Sequence, residues 1–357
     1  MAIGEGRMAT TADERPPAAR GGGPATVQRI ERLVEALQSH RVRLRQVGLA
    51  TSLAIVAISL VIFARALMAV DPGQFAAAIA ETSGRQIAGA FCLSALSYLA
   101  LAGYDRLALR HLRLKAPLGL SALASFASYA ISFTLGFPLI TGGAVRYWIY
   151  GPAGLSAGKV ASLTLIAGIT FWLGMGSIVA AGLIGEAEAI SEINHFNAAV
   201  NQFFGLGVIA ILVAYLALVS RRPRPVILNV PLPGPIVTIG QMALGVIDVC
   251  AAAGALYVLL PKGHGLAFPT FSSLYSFACM LGIASHAPGG IGVFEATMLK
   301  TIPAPSGSVF ASLLLFRAIY YLAPFILAMA LLGAHEGGRR WRSLRAAMVA
   351  PQKNGED

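Results

Sequence analysis

The sequence predicts an all-α polytopic membrane protein, with six full spans and two re-entrant hairpins arranged as an inverted repeat. Three observations lead there. The first is composition: 56% of the 357 residues are hydrophobic and 12% are charged, with a mean hydropathy of +0.71, whereas soluble domains carry about 25% charged residues. The second is a set of apolar runs long enough to cross about 30 Å of hydrocarbon. The third is charge: basic residues gather at the ends of those runs on alternate loops, the pattern of the positive-inside rule.

Taken in order, residues 1–24 are rich in Gly, Ala, Pro and Arg and lack an apolar signal core. They are predicted to be disordered. Residues 25–46 predict an amphipathic interfacial helix. Val27, Ile30, Val34 and Leu37 share a face, ringed by Arg29, Arg32, Arg41, Arg43 and Arg45. Such a helix suits an anionic membrane surface, and a solvated lead-in to the first span fits equally well. The runs 47–69, 86–105, 160–184, 202–219, 236–260 and 308–333 read as full spans. Regions 117–158 and 266–306 are apolar but interrupted by Gly and Pro. The transmembrane domain is thus 47–335, with half-repeats at about 47–184 and 202–333, followed by a basic tail at 336–357.

Charge sets the expected topology. Arg41, Arg43 and Arg45 place the N-terminus in the cytoplasm. Arg106, Arg110, Arg113 and Lys115 do the same for the loop after the second span. The loop "GEAEAISEINHFN" carries Glu186, Glu188 and Glu192 and no Lys or Arg, so it lies outside. Arg221, Arg222 and Arg224, and the tail arginines Arg339, Arg340, Arg342 and Arg345, return to the inside. Parity then requires each interrupted region to enter and leave on one side. Non-helical backbone at membrane depth needs shielding by protein or water, so both tips should point inward. Pro138, Gly142 and Gly143 are the expected breakers of the first hairpin, and Pro288, Gly289 and Gly290 those of the second. The spacings repeat: first to second span centre is about 38 against about 37 residues. Second centre to glycine pair is about 46 against about 42, and pair to closing span about 30 in both. Inverted repeats with broken helices suit transporters that bind near the midplane.

The candidate site residues are the intramembrane charges Asp105, Arg146, Asp248, Glu295 and Arg317. Each costs at least a few kcal/mol at depth without a partner. Arg146 follows one break and Glu295 the other, so one hairpin carries a cation and the other a carboxylate. Asp105 and Arg146 also suit the cytoplasmic interface, where charge costs little. The competing structural reading is an ion-pair network that only locks the hairpins. Trp148 and Trp341 read as interface anchors, and Cys92, Cys250 and Cys279 as buried single thiols. His286 and Glu295 lack metal-ligand spacing, so no metal and no cofactor are expected. Asp105 and Asp248 loosely suggest an intramembrane aspartyl pair, but no Gly-x-Gly-Asp follows. No Gly-x-Ser-x-Gly elbow and no P-loop occur. The net charge of +11 follows span ends, so nucleic acid is not an expected partner.

Four motifs, "YDRLALR", "GGAVRYWIY…GLS", "PGGIGVFE" and "LFRAIYYLAP", carry a resemblance over about residues 45–335. The chain resembles the transmembrane module of lysylphosphatidylglycerol synthases, the bacterial multiple peptide resistance factors. That module is regarded as a phospholipid flippase and also occurs as stand-alone inner-membrane proteins. The resemblance implies that Asp105, Arg146, Glu295 and Arg317, with Asp248, line a lipid path. It implies a phospholipid substrate, a bacterial inner-membrane location and cytoplasmic termini. About 20 residues follow the last span, so no soluble aminoacyltransferase domain and no aminoacyl transfer are expected here. A lipid-modifying enzyme partner and a homo-oligomer are compatible with this reading. The alternatives are transport of a small polar solute or ion by the same architecture, and a membrane scaffold subunit.

Overall fold

A computed structural model describes residues 82–221, 226–227, 230–285 and 288–349, with Gly73 and Ala80. The expectations for residues 1–24, for the helix 25–46, for the first span 47–69, for His286 and for the end of the tail lie outside the described residues. Among the described residues the protein is all-α apart from a two-residue strand pair, β1 (Val226–Ile227) against β2 (Val230–Pro231).

Six described helices are long and apolar enough to cross a membrane. Five coincide with expected spans: α1 (Gly84–His111), α4 (Ala157–Gly185), α6 (Ala198–Ser220), α7 (Pro235–Tyr257), and α10 (Ser306–Phe316) continued by α11 (Ala323–Val349). The sixth is α2 (Leu118–Leu135), read from sequence as one arm of a hairpin. Its 18 residues span about 27 Å at 1.5 Å per residue, so this arm alone nearly matches the hydrocarbon thickness. The short α5 (Ala187–Asn194) sits in the acidic loop, and Thr270 donates to Glu186 there at 2.8 Å. Within the expected tail, α11 remains helical to Val349.

Local chemistry explains the ends. Ser83 and Gln86 form a reciprocal capping box at the start of α1. Asn197 caps α6 by accepting from the Ala199 amide at 2.9 Å. The faces of α6 are mostly outward and apolar, with Phe203, Leu206, Ile211 and Val213 exposed, a surface suited to lipid. Close helix crossings use glycine. A Cβ on Gly174 of α4 would lie 2.3 Å from the Gly245 carbonyl carbon of α7, so the two backbones touch.

The chain breaks twice. After α2, Gly136 (φ 82°) and Phe137 (φ 50°) turn the backbone, and α3 (Pro138–Tyr150) packs back along α2. Pro138 is the first residue of α3, where its missing N–H costs nothing. Gly142 and Gly143 are not breakers: both lie inside α3. Gly142 instead makes room, since a Cβ there would come within 3.1 Å of Arg146 Nη1. The second break follows α8 (Phe268–Ala284). It contains a 3₁₀ turn at Pro288–Gly290, with Gly289 (φ 61°), Gly290 (φ 66°) and Gly292 (φ 88°), and leads into α9 (Val293–Thr301).

Candidate functional site

The two breaks meet. Gly289 sits so close to the last turn of α2 that a Cβ on it would be 3.1 Å from the Phe133 carbonyl oxygen and 3.2 Å from that of Thr134. Only glycine fits both that approach and the positive φ. Around this junction the five candidate charges divide into two ion pairs and one carboxylate held by hydroxyls.

The first pair joins α1 to α3. Arg146 donates from Nε to Asp105 Oδ2 at 2.9 Å and from Nη2 to Oδ1 at 2.7 Å, a bidentate geometry. The Tyr129 ring of α2 lies 4.7 Å from the guanidinium carbon. Arg146 and Asp105 are 2% and 0% exposed, so the pair is enclosed by protein. Helix α3 folds back onto α1 and α2 and carries its arginine inside.

The second pair joins α9 to the closing helix. Arg317 donates from Nε to Glu295 Oε1 at 2.7 Å and from Nη1 to the Gly289 carbonyl at 2.8 Å. Glu295 Oε2 accepts the Gly292 amide at 2.7 Å, which closes the first turn of α9. Arg317 therefore fastens the second break to the last helix. It opens a π-helical segment, Arg317–Leu322, an irregularity frequent at functional sites. Nη2 also lies 2.6 Å from Oε1, so the carboxylate faces two guanidinium nitrogens. The pair is 19% and 17% exposed, more open than the first.

Arg146 and Glu295, the opposite charges that follow the two breaks, are not partners: each has an opposite charge on another helix. Asp248 of α7 joins neither pair. It accepts from Ser97 at 2.5 Å and from Tyr104 at 2.8 Å, and Ser97 shares a 2.7 Å hydrogen bond with Tyr320. Among the described residues no Lys or Arg forms an ion pair with it.

Residues that the sequence reading missed connect these groups. Tyr129 meets Tyr104 edge-on at 6.2 Å and Phe133 at 5.7 Å, and Phe133 stacks on Tyr320 at 6.2 Å. Tyr320 meets Tyr321, whose ring lies 4.5 Å from the Arg317 guanidinium carbon. A continuous aromatic and hydroxyl bridge therefore runs from Arg146 to Arg317 past Asp248. The sequence held one signal for it. Ser121, Ser125, Ser128 and Ser132 form a polar stripe along α2 at helical spacing, and Ser125 donates across to the Leu101 carbonyl of α1 at 3.0 Å. Of the cysteines, Cys92 is exposed and the other two are partly buried. The expected burial of Cys92 is corrected, because an apolar run in a membrane can face lipid as well as protein.

Broken helices meeting over paired buried charges, in an all-α multi-pass chain, define a class of polytopic membrane protein with a built polar interior. Known sequences narrow it. The chain belongs to the family described as the lysylphosphatidylglycerol synthase TM region, which it matches over residues 50–328. It is 34% identical to the uncharacterized protein slr0712 of Synechocystis sp. over 256 residues, covering 70% of this chain and 80% of that protein. It is 27% identical to the inner membrane protein YbhN of Escherichia coli over 246 residues, covering 66% and 76%. A shorter likeness, 34% over 90 residues, links it to phosphatidylglycerol lysyltransferase of Staphylococcus aureus, covering 24% of this chain and 11% of that protein.

Proposed function

We propose that the chain is a phospholipid translocator of the bacterial inner membrane, moving polar headgroups past the meeting point of two re-entrant hairpins. The observation that carries this reading is the Arg317 site. A guanidinium at the junction of both breaks, 19% exposed beside its carboxylate, presents donors that a phosphate oxygen can accept. Glu295 holds Arg317 in place and balances its charge. It also offers a carboxylate to an amine-bearing headgroup. Tyr321, Tyr320 and Phe133 give an apolar flank, and the α2 serines and Asp248 a polar one.

The Asp105–Arg146 pair takes a different role in this proposal. Its bidentate geometry and near-complete burial favour a clamp holding the first hairpin to α1. The family and its relatives support a role in lipid handling: one relative is named for phosphatidylglycerol and another for the inner membrane. The inverted repeat read from spacing and charge supports exchange of access between the two sides.

The test is headgroup exposure in sealed vesicles containing the purified chain, with a membrane-impermeant quencher reporting fluorescent phospholipid. Faster exposure than in protein-free vesicles is expected. Exposure at the protein-free rate, with uptake of a small polar solute instead, would move the assignment to solute transport.

A further inference from the structure

A second polar feature lies at the end of α1, away from Arg317. Arg106, Arg110 and Lys115 surround a cavity of about 460 Å³ whose other walls are Leu109, Leu114, Ala116 and Pro117. Leu109 is buried and forms a firm apolar floor. Among the described residues, Arg146, Arg317 and Arg339 each pair with a carboxylate, but none of these three cations does. Asp105, the nearest carboxylate in sequence, has both oxygens committed to Arg146. The end of α1 is also braced: His111 Nε2 hydrogen-bonds the Pro231 carbonyl oxygen at 2.7 Å. Helix α2 starts immediately beyond the lining residue Pro117 and has no side-chain cap, so its amide end adds positive potential.

We infer that this cavity is an anion site for a phosphate group, distinct from the Arg317 site. Three uncompensated cations over an apolar floor match a phosphodiester whose glycerol and acyl parts lie against Leu109, Leu114 and Pro117. Basic pockets at helix ends hold anionic lipid headgroups in this way. The same chemistry serves a free phosphate. The inference does not depend on lipid being moved across the membrane.

The experiment uses the full chain in nanodiscs of phosphatidylcholine with phosphatidylglycerol. Lipid retained on release is counted by native mass spectrometry, and inorganic phosphate binding is measured by calorimetry. Two variants remove equal charge. One is Arg106→Gln with Arg110→Gln and Lys115→Gln. The other is Lys159→Gln with Lys262→Gln and Lys300→Gln, three exposed lysines elsewhere. If the site takes a lipid headgroup, the first variant loses retained phosphatidylglycerol by about tenfold or more and the second does not, with no displacement by inorganic phosphate. If it takes free phosphate, calorimetry shows binding that only the first variant loses. Equal losses in both variants reduce the feature to general surface charge and overturn the inference, as does absence of binding by either probe. Should the triple variant aggregate, exposed Lys115→Gln alone should lose several-fold, and unchanged retention there also overturns the inference.

Discussion

Removing the Asp105 charge should damage the protein more than removing any other carboxylate at the site. In Asp105→Asn, one of two charge-assisted hydrogen bonds to Arg146 is lost, and an amide NH₂ faces a guanidinium N–H. Arg146 is then a cation 2% exposed with no opposite charge. Breaking a buried pair in this way costs about 3–5 kcal/mol. The Tyr129 face at 4.7 Å still attracts the cation, which favours the lower end, about 3 kcal/mol. Total stabilities are about 5–15 kcal/mol, so the loss is large. At roughly 2–4 °C per kcal/mol, Tm should fall by about 6 °C or more in detergent, followed by intrinsic fluorescence. Adding Arg146→Gln should recover part of that loss, because the uncompensated charge goes. An Asp105→Asn protein melting within about 2 °C of the parent would refute the clamp. Glu295→Gln should cost less, about 1 kcal/mol, because that pair is partly solvated and Arg317 keeps its bond to Gly289.

Three further outcomes follow from the same geometry. Asp248→Asn should melt within about 2 °C of the parent, since hydroxyls rather than a cation hold the carboxylate and no charge is stranded; a drop like that of Asp105→Asn would reveal an ionic partner. Gly174→Ala should lower Tm by several degrees, because its Cβ would sit 2.3 Å from the Gly245 backbone and overpacking costs about 1–3 kcal/mol; an unchanged Tm would mean that α4 and α7 do not touch there. His264, in the loop after α7, accepts the Leu266 amide on Nδ1 at 3.2 Å, and burial lowers its pKa below the usual value. Its contribution is present above the unfolded pKa of about 6.5 and is lost as pH falls through the lower folded pKa. Melting between pH 7.5 and 5 should therefore show a destabilisation that His264→Gln reduces, and an identical profile would remove His264 as its source.

The five described spans were legible because each depends on a local property, an apolar run bounded by polar or basic residues. The second break was legible for a similar reason: Pro288, Gly289 and Gly290 sit together where no helix continues. The first was misplaced by a few residues. Gly142 and Gly143 resemble breakers in sequence, but Gly136 and Phe137 make the turn and Pro138 merely starts the next helix. A glycine that makes room for Arg146 and a glycine that turns the chain look alike until the neighbouring helix is in place. The five charges could be found by their cost in an apolar chain. Their partners could not, because Asp105 lies 41 residues from Arg146 and Glu295 lies 22 from Arg317. The tyrosines that connect the pairs were hidden for the opposite reason. An aromatic residue in an apolar span carries no anomaly to notice.

In the proposed function, Arg317 at the meeting point of the two breaks contacts the moving headgroup. The most direct measurement of that contact is the initial rate of headgroup exposure in vesicles carrying either the parent or Arg317→Gln, matched for amount and for Tm in the reconstituted state. The rate of the variant should fall to that of protein-free vesicles while the parent stays faster. Equal rates for the parent and the folded variant would contradict the claim.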